Sequence, residues 1–259
     1  MMLRDLLDGA RPALGHLIFE FATPGIGWLV RNAGADFLLF DMEHSGFTFE
    51  TAKLAVLSTR AADIPLVLRV PSHDAKDLAR ACDIGADGVM VPLVGTPEEA
   101  RSIVAAVKYP PDGRRGVSQV QMHDRYRVGP FADKARAANA ALALFAQIES
   151  RQGVEHADAI AAVDGVDCLW VGHMDLSCSL GAPAQFDTPD FQASIRAVVA
   201  AARKHGKRAG RMVRNAEEGA AQHTLGFNCF VLGSDTQVYQ AALAQGIGAL
   251  RATLDGESP

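Results

Sequence analysis

Lysine is scarce in this chain, and the scarcity is informative. There are six, Lys53, Lys76, Lys108, Lys134, Lys204 and Lys207, all in predicted helices or connectors. None ends a predicted strand. A Schiff-base mechanism needs a lysine amine at the chemistry, so imine catalysis is not expected. Phosphate- and acyl-transfer signatures are also missing. No GxGxxG follows a strand, no GxxxxGK[ST] occurs and no GxSxG elbow is present, which removes the usual nucleotide and serine-hydrolase sites. Positive charge is short as well: the formal net charge is −5 and no basic stripe with interleaved aromatics occurs, so no nucleic-acid partner is expected. Cys82, Cys168, Cys178 and Cys229 lack CxxC spacing and read as free thiols. No run of about 18 apolar residues occurs, and the leading MMLRDLLDGARPALG carries Asp and Arg where a signal peptide needs an apolar stretch. No membrane partner is expected, and the expected compartment is the cytoplasm.

What the chain does have is alternation. With 49% hydrophobic and 21% charged residues it is an ordinary globular sequence, and no Pro/Gly/Ser-rich linker divides residues 1–259. A single domain is expected. Short β-rich runs alternate with amphipathic helical stretches at 13–21, 37–44, 65–70, 88–94, 142–150, 168–175, 208–213 and 229–235. Four of them follow a similar device: GAD at 34–36 and 85–87, GVD at 165–167 and GFN at 226–228. Each sets Gly where a helix ends left-handed and then a short polar residue. Eight β-then-α units predict an α/β fold, a (β/α)8 TIM barrel, although periodicity alone also fits a doubly wound sheet. Residues 109–141 break the rhythm and read as an extended loop, either a surface excursion or subunit contact or a cover for the site. The closing helix, 236–254, is apolar on more than one face, which predicts a partner subunit against it.

Barrel active sites form where strands end, and here the strand ends carry the charge. In FLLFDMEHSGFTFE, the apolar run Phe37 to Phe40 stops at Asp41, Glu43 and His44, an expensive place for charge unless it is used. Arg69 ends the third run, Gln147 and Glu149 the fifth, His173 and Asp175 the sixth, and Asp235 the eighth. Strand alternation would set Gln147 and Glu149 on one face and His173 and Asp175 on another, with Gly172 allowing close backbone approach. Two carboxylates with a neutral amide beside them suit a hard divalent cation that keeps waters for a substrate to displace; either acid alone would equally serve as a helix cap or ion pair.

With DMEH at 41–44, LRV at 68–70, YPPDGRRG at 109–116, AQIES at 146–150 and VGHMDLS at 171–177, nearly the whole chain resembles the metal-dependent (class II) 2-oxo-acid aldolases of the HpcH/HpaI family. These act on 4-hydroxy-2-oxoheptanedioate and 2-dehydro-3-deoxyglucarate. The resemblance implies a lyase that cleaves a 4-hydroxy-2-oxo acid to pyruvate or hydroxypyruvate and an aldehyde, and it suggests a homo-oligomer, a hexamer. It implies a divalent cation (Mg2+, Mn2+ or Co2+) on Glu149 and Asp175. Arg69 matches the arginine that polarises the keto oxygen, and His44, steadied by Asp41, matches the base. Asp83, in ACDIG, matches a further acid of the site, though a surface position near a helix end reads equally well. Gln147, Gly172, His173 and Met174 fall on the substrate side, and Trp170 and Met212 on the side of the aldehyde. The chain departs from the family pattern at His173, which replaces a proline, at Ser118, His123 and Asp124 in the loop, and at Arg211, which replaces an aliphatic residue. Oxaloacetate decarboxylation, a phosphoenolpyruvate-type phosphotransfer and a non-catalytic ligand-binding barrel are the competing readings.

Overall fold

In the computed structural model, which describes residues 2–255, eight parallel strands close into a barrel in sequence order. They are β1 (Ala13–Ile18), β2 (Phe37–Asp41), β3 (Leu66–Arg69), β4 (Gly88–Val91), β5 (Ala143–Ile148), β6 (Cys168–Val171), β7 (Arg208–Val213) and β8 (Cys229–Ser234). Closure excludes the doubly wound alternative. Alternation along each strand sorts the core into two shells. Phe37, Leu39, Val67, Met90, Phe145 and Trp170 fill the barrel, while Leu38, Phe40, Leu66, Leu68, Val89 and Leu144 pack under the helices. From β2 to β6 both faces are covered, which is why these strands read as unbroken apolar runs, whereas Leu14 on β1 and Leu232 on β8 are exposed.

At the four repeated glycines the backbone is left-handed, with φ of +91° at Gly34 and Gly85, +96° at Gly165 and +109° at Gly226. The polar residue two places on forms a reciprocal pair. Asp36, Asp87, Asp167 and Asn228 donate a backbone N–H to the carbonyls of Leu14, Leu66, Leu144 and Ala209. Their side-chain oxygens accept the N–H of those same residues at 3.0, 2.9, 2.8 and 3.1 Å. Each pair joins the start of an even-numbered strand to the start of the odd-numbered strand before it.

Outside the predicted alternation, the helix Leu3–Asp8 plugs the N-terminal end of the barrel with Leu3, Leu6 and Leu7. Its carbonyls at Leu6, Leu7 and Gly9 accept from the buried Arg208 guanidinium, satisfying a helix end that would otherwise be stranded. The segment 109–141 is less of a loop than its sequence suggests. Met122–Asp124 forms a 3-10 turn and the alanine-rich stretch Phe131–Ala141 is helical. The Asn139 amide bonds both the N–H (2.8 Å) and the C=O (2.9 Å) of Tyr109, so the two ends of the excursion are tied together. The last helix, Asp235–Leu254, buries only Asp235. Among the described residues no helix is long and apolar enough to cross a membrane.

Candidate active site at the barrel mouth

Asp41 and Arg69 sit opposite one another in the β2–β3 register. The guanidinium grips the carboxylate with two parallel bonds, Nε to Oδ1 at 2.8 Å and Nη2 to Oδ2 at 2.7 Å. Its remaining edge, Nη1, lies 3.1 Å from Glu43 Oε2. Asp41 also accepts the N–H of Glu43 at 2.8 Å and, weakly, that of His44 at 3.4 Å, so it shapes the turn after β2. Asp41 thus meets His44 through the backbone N–H, while Arg69 occupies the carboxylate and the ring nitrogen Nε2 stands 3.7 Å from Glu43. The ring itself is exposed.

Glu149 lies just past the end of β5 and is buried, 2% exposed. Oε1 accepts the Leu93 N–H at 2.6 Å and Oε2 accepts the Gln147 amide at 2.7 Å. A Cβ at Gly172 would come within 2.1 Å of Oε2, so only glycine admits the carboxylate there. Burial pushes the Glu149 carboxyl up to about 7; the two hydrogen bonds oppose the rise and the nearby charges of Glu43 and Asp175 add to it. Glu43 is raised too, first by burial, with Arg69 and His44 opposing. Buried Glu43 Oε2 has Arg69 as its ion-pair partner but makes no hydrogen bond, and buried Gln147 Oε1 has no hydrogen-bond partner. An all-oxygen group with several carboxylates and an orphaned amide oxygen fits a hard divalent cation, which Glu149 and Asp175 would hold with Gln147 beside them. No three His, Cys, Asp or Glu side chains among the described residues are arranged to hold a metal ion. Two carboxylates would leave most coordination positions to water and substrate.

Asp175 and His173 do not share a strand face. β6 ends at Val171, and His173–Ser179 is a helix whose first bond runs from Leu176 N–H to Gly172 C=O at 3.0 Å. Positions two apart on a helix point apart, so His173 turns to Phe186 (ring centroids 5.3 Å) while Asp175 and Met174 are exposed. Burial, then the Arg211 charge, lowers the His173 ring to about 4. Trp170 is inside the barrel, edge-on to Phe145 at 6.4 Å, and Met212 packs against the same inner cluster. Arg211, between them in sequence, faces outward: it pairs with Glu218 at 3.2 Å and lies over Phe227. This departure therefore belongs to the helix layer rather than to the barrel interior.

Asp83 is not brought to this group. It ends the helix Ala75–Asp83, which leads into the start of β4 at the opposite end of the barrel, and it pairs with Arg115. Asp235 is committed as well, accepting the N–H groups of Phe19, Glu20 and Phe21 at 3.3, 2.9 and 2.7 Å. The buried Lys108 donates to the carbonyls of Asn139 (2.5 Å) and Leu142 (2.9 Å), just ahead of β5. Two residues gain weight from the geometry. Glu43 joins the carboxylate group, as its place at a strand end would suggest, whereas Leu93, whose contribution is a backbone N–H, leaves no signal in residue type.

The family model for HpcH/HpaI aldolase/citrate lyase matches residues 27–242. The chain is 35% identical over 210 residues, 81% of each protein, to a 5-keto-4-deoxy-D-glucarate aldolase of Shigella boydii serotype 18. An HpcH/HpaI aldolase structure from Desulfitobacterium hafniense DCB-2 superposes with a TM-score of 0.92 at 29% identity, covering 100% of both chains. The structure of the citrate synthase SbnG follows the same course, with a TM-score of 0.88 at 27% identity over 98% of this chain and 99% of that one. The chain belongs to the HpcH/HpaI aldolase/citrate lyase family and is a lyase of the aldolase type.

Proposed function

We propose that this enzyme reversibly cleaves a 4-hydroxy-2-oxo acid to pyruvate, or hydroxypyruvate, and an aldehyde, using a divalent cation (Mg2+, Mn2+ or Co2+) held by Glu149 and Asp175. The carrying observation is the group formed by Glu149, Glu43 and Arg69 at strand ends where no lysine stands. The cation supplies Lewis-acid stabilisation of the charge that develops on the keto oxygen. Arg69, fixed by Asp41, has its Nη1 edge on Glu43, and the keto oxygen of a bound substrate would take that edge in Glu43's place. His44 takes the 4-hydroxyl proton during cleavage and returns it during synthesis. Gln147, Gly172, His173 and Met174 border the oxo-acid side, while Trp170 and Met212 lie toward the aldehyde. The relative named 5-keto-4-deoxy-D-glucarate aldolase supports a hydroxylated oxo-acid substrate.

The likeness to a citrate synthase supports a second reading, in which the enzyme adds a carbon nucleophile to an oxo acid such as oxaloacetate. A panel of aldehydes with pyruvate and hydroxypyruvate, and of oxaloacetate with an acyl thioester as the carbon nucleophile, run with and without chelator, separates the two. Cation-dependent aldol products support the first reading. Turnover confined to oxaloacetate would replace it.

A further inference from the structure

Leu93, in the connection after β4, has a φ of +53°. In that left-handed region an L-residue's Cβ crowds the following carbonyl, and only glycine, and to a lesser degree asparagine, adopts it routinely. Packing does not offset the strain, because the side chain is 57% exposed. What the conformation achieves is the aim of one N–H. On one side, the Pro92 carbonyl meets His73 Nε2 at 2.5 Å; on the other, the Val94 N–H continues the β4–β5 ladder to Gln147 C=O at 3.0 Å. The Gly95 N–H is held in turn by Glu99 at 2.8 Å. With both neighbours fixed, the left-handed turn directs the Leu93 N–H onto Glu149 Oε1.

We infer that Leu93 is a positioning residue, whose left-handed backbone holds the Glu149 carboxylate in the orientation that receives the cation; this rests on the reading under Proposed function. Oε1 is held by Leu93 and Oε2 by Gln147, with Gly172 leaving room beside it. A carboxylate fixed at both oxygens is preorganised for a cation, and partners of this kind typically change metal affinity by about 10–100-fold when lost. The chemistry of the side chain at 93 is then secondary to the conformation it permits.

The test is calorimetric titration of chelator-stripped protein with Mn2+, comparing wild type with Leu93→Gly, Leu93→Asn and Leu93→Val. Glycine and asparagine tolerate the left-handed turn and keep the N–H, so their affinities stay within about threefold of wild type. Valine, branched at Cβ, resists the turn and weakens binding by about tenfold or more. Equal binding by Leu93→Val, or a loss in Leu93→Gly as large as in Leu93→Val, overturns the inference and leaves the cation site standing. Failure of the wild type to bind Mn2+ removes the cation site and this inference with it. Where Leu93→Val does not fold, the residue-93 amide proton in the wild type decides: a downfield, exchange-protected resonance supports the bond to Glu149, and a freely exchanging one overturns it.

Discussion

Arg69 and Asp41 hold each other by two bonds, and this fixes where the guanidinium can offer its third edge. His44 has no such anchor; its ring is exposed beside Glu43, free to follow a substrate hydroxyl. His44→Ala should lower turnover by about 10²–10⁴-fold with a much smaller change in the KM for the oxo acid, since the ring acts on a proton in flight. Steady-state kinetics check this, and a variant within threefold of wild type removes His44 from the mechanism. Glu149 carries the pH dependence. With its carboxyl at about 7 in the folded protein, a cation must displace a proton below that pH, so Mn2+ affinity should rise about tenfold from pH 6 to pH 8 and level off above. The linkage runs the other way for stability. Because the folded carboxyl binds its proton more tightly than the unfolded one, stability without cation falls as pH rises from the ordinary glutamate range through about 7. An affinity flat across this range contradicts the assignment. The strand-end charges are legible in the sequence because a carboxylate at the end of an apolar run, as at Asp41 or Glu149, is costly unless it is paired or used. The partners are not: which carboxylate Arg69 takes, and which backbone N–H reaches Glu149, depend on side-chain geometry across different strands.

Between residue and barrel stands the Gly-x-Asp device at the strand starts. Its glycines were legible as left-handed helix ends, but the reciprocal pairing of Asp36, Asp87, Asp167 and Asn228 with the preceding strand requires register, which one strand's sequence does not contain. Asp87→Ala leaves the Leu66 N–H without its 2.9 Å partner in a barrel wall, and should cost about 1–3 kcal/mol, read as a lower urea midpoint at unchanged m-value. Asp87→Asn, which keeps an acceptor, should recover most of it. No shift in Asp87→Ala would mean that water replaces the bond. The segment 109–141 departs from its loop-like sequence at this same scale. A polar, alanine-rich stretch carries little helical periodicity, and the helix Phe131–Ala141 is stable where it lies because Asn139 ties it to Tyr109.

Eight strand–helix units point to a barrel but leave a doubly wound sheet open, because which strands meet at the closing edge is not written in the alternation; the β1–β8 pairing decides it. The plug Leu3–Asp8 escaped that reading because it stands outside the repeat. The last helix leaves Tyr239, Leu243, Ile247, Leu250 and Leu254 exposed, a stripe at three- and four-residue spacing. We expect a second copy to cover it in a homo-oligomer, so Leu243→Glu should reduce the particle mass measured by light scattering; a wild-type monomer at micromolar concentration would contradict this. We propose that the mouth of this barrel cleaves carbon–carbon bonds through a cation on Glu149 and Asp175. The most direct measurement is aldol cleavage by chelator-stripped enzyme, with Mn2+ restored in steps, for wild type and Glu149→Gln. No turnover is expected without cation, with saturable recovery in the wild type and none in Glu149→Gln; full activity in excess chelator would rule the cation out.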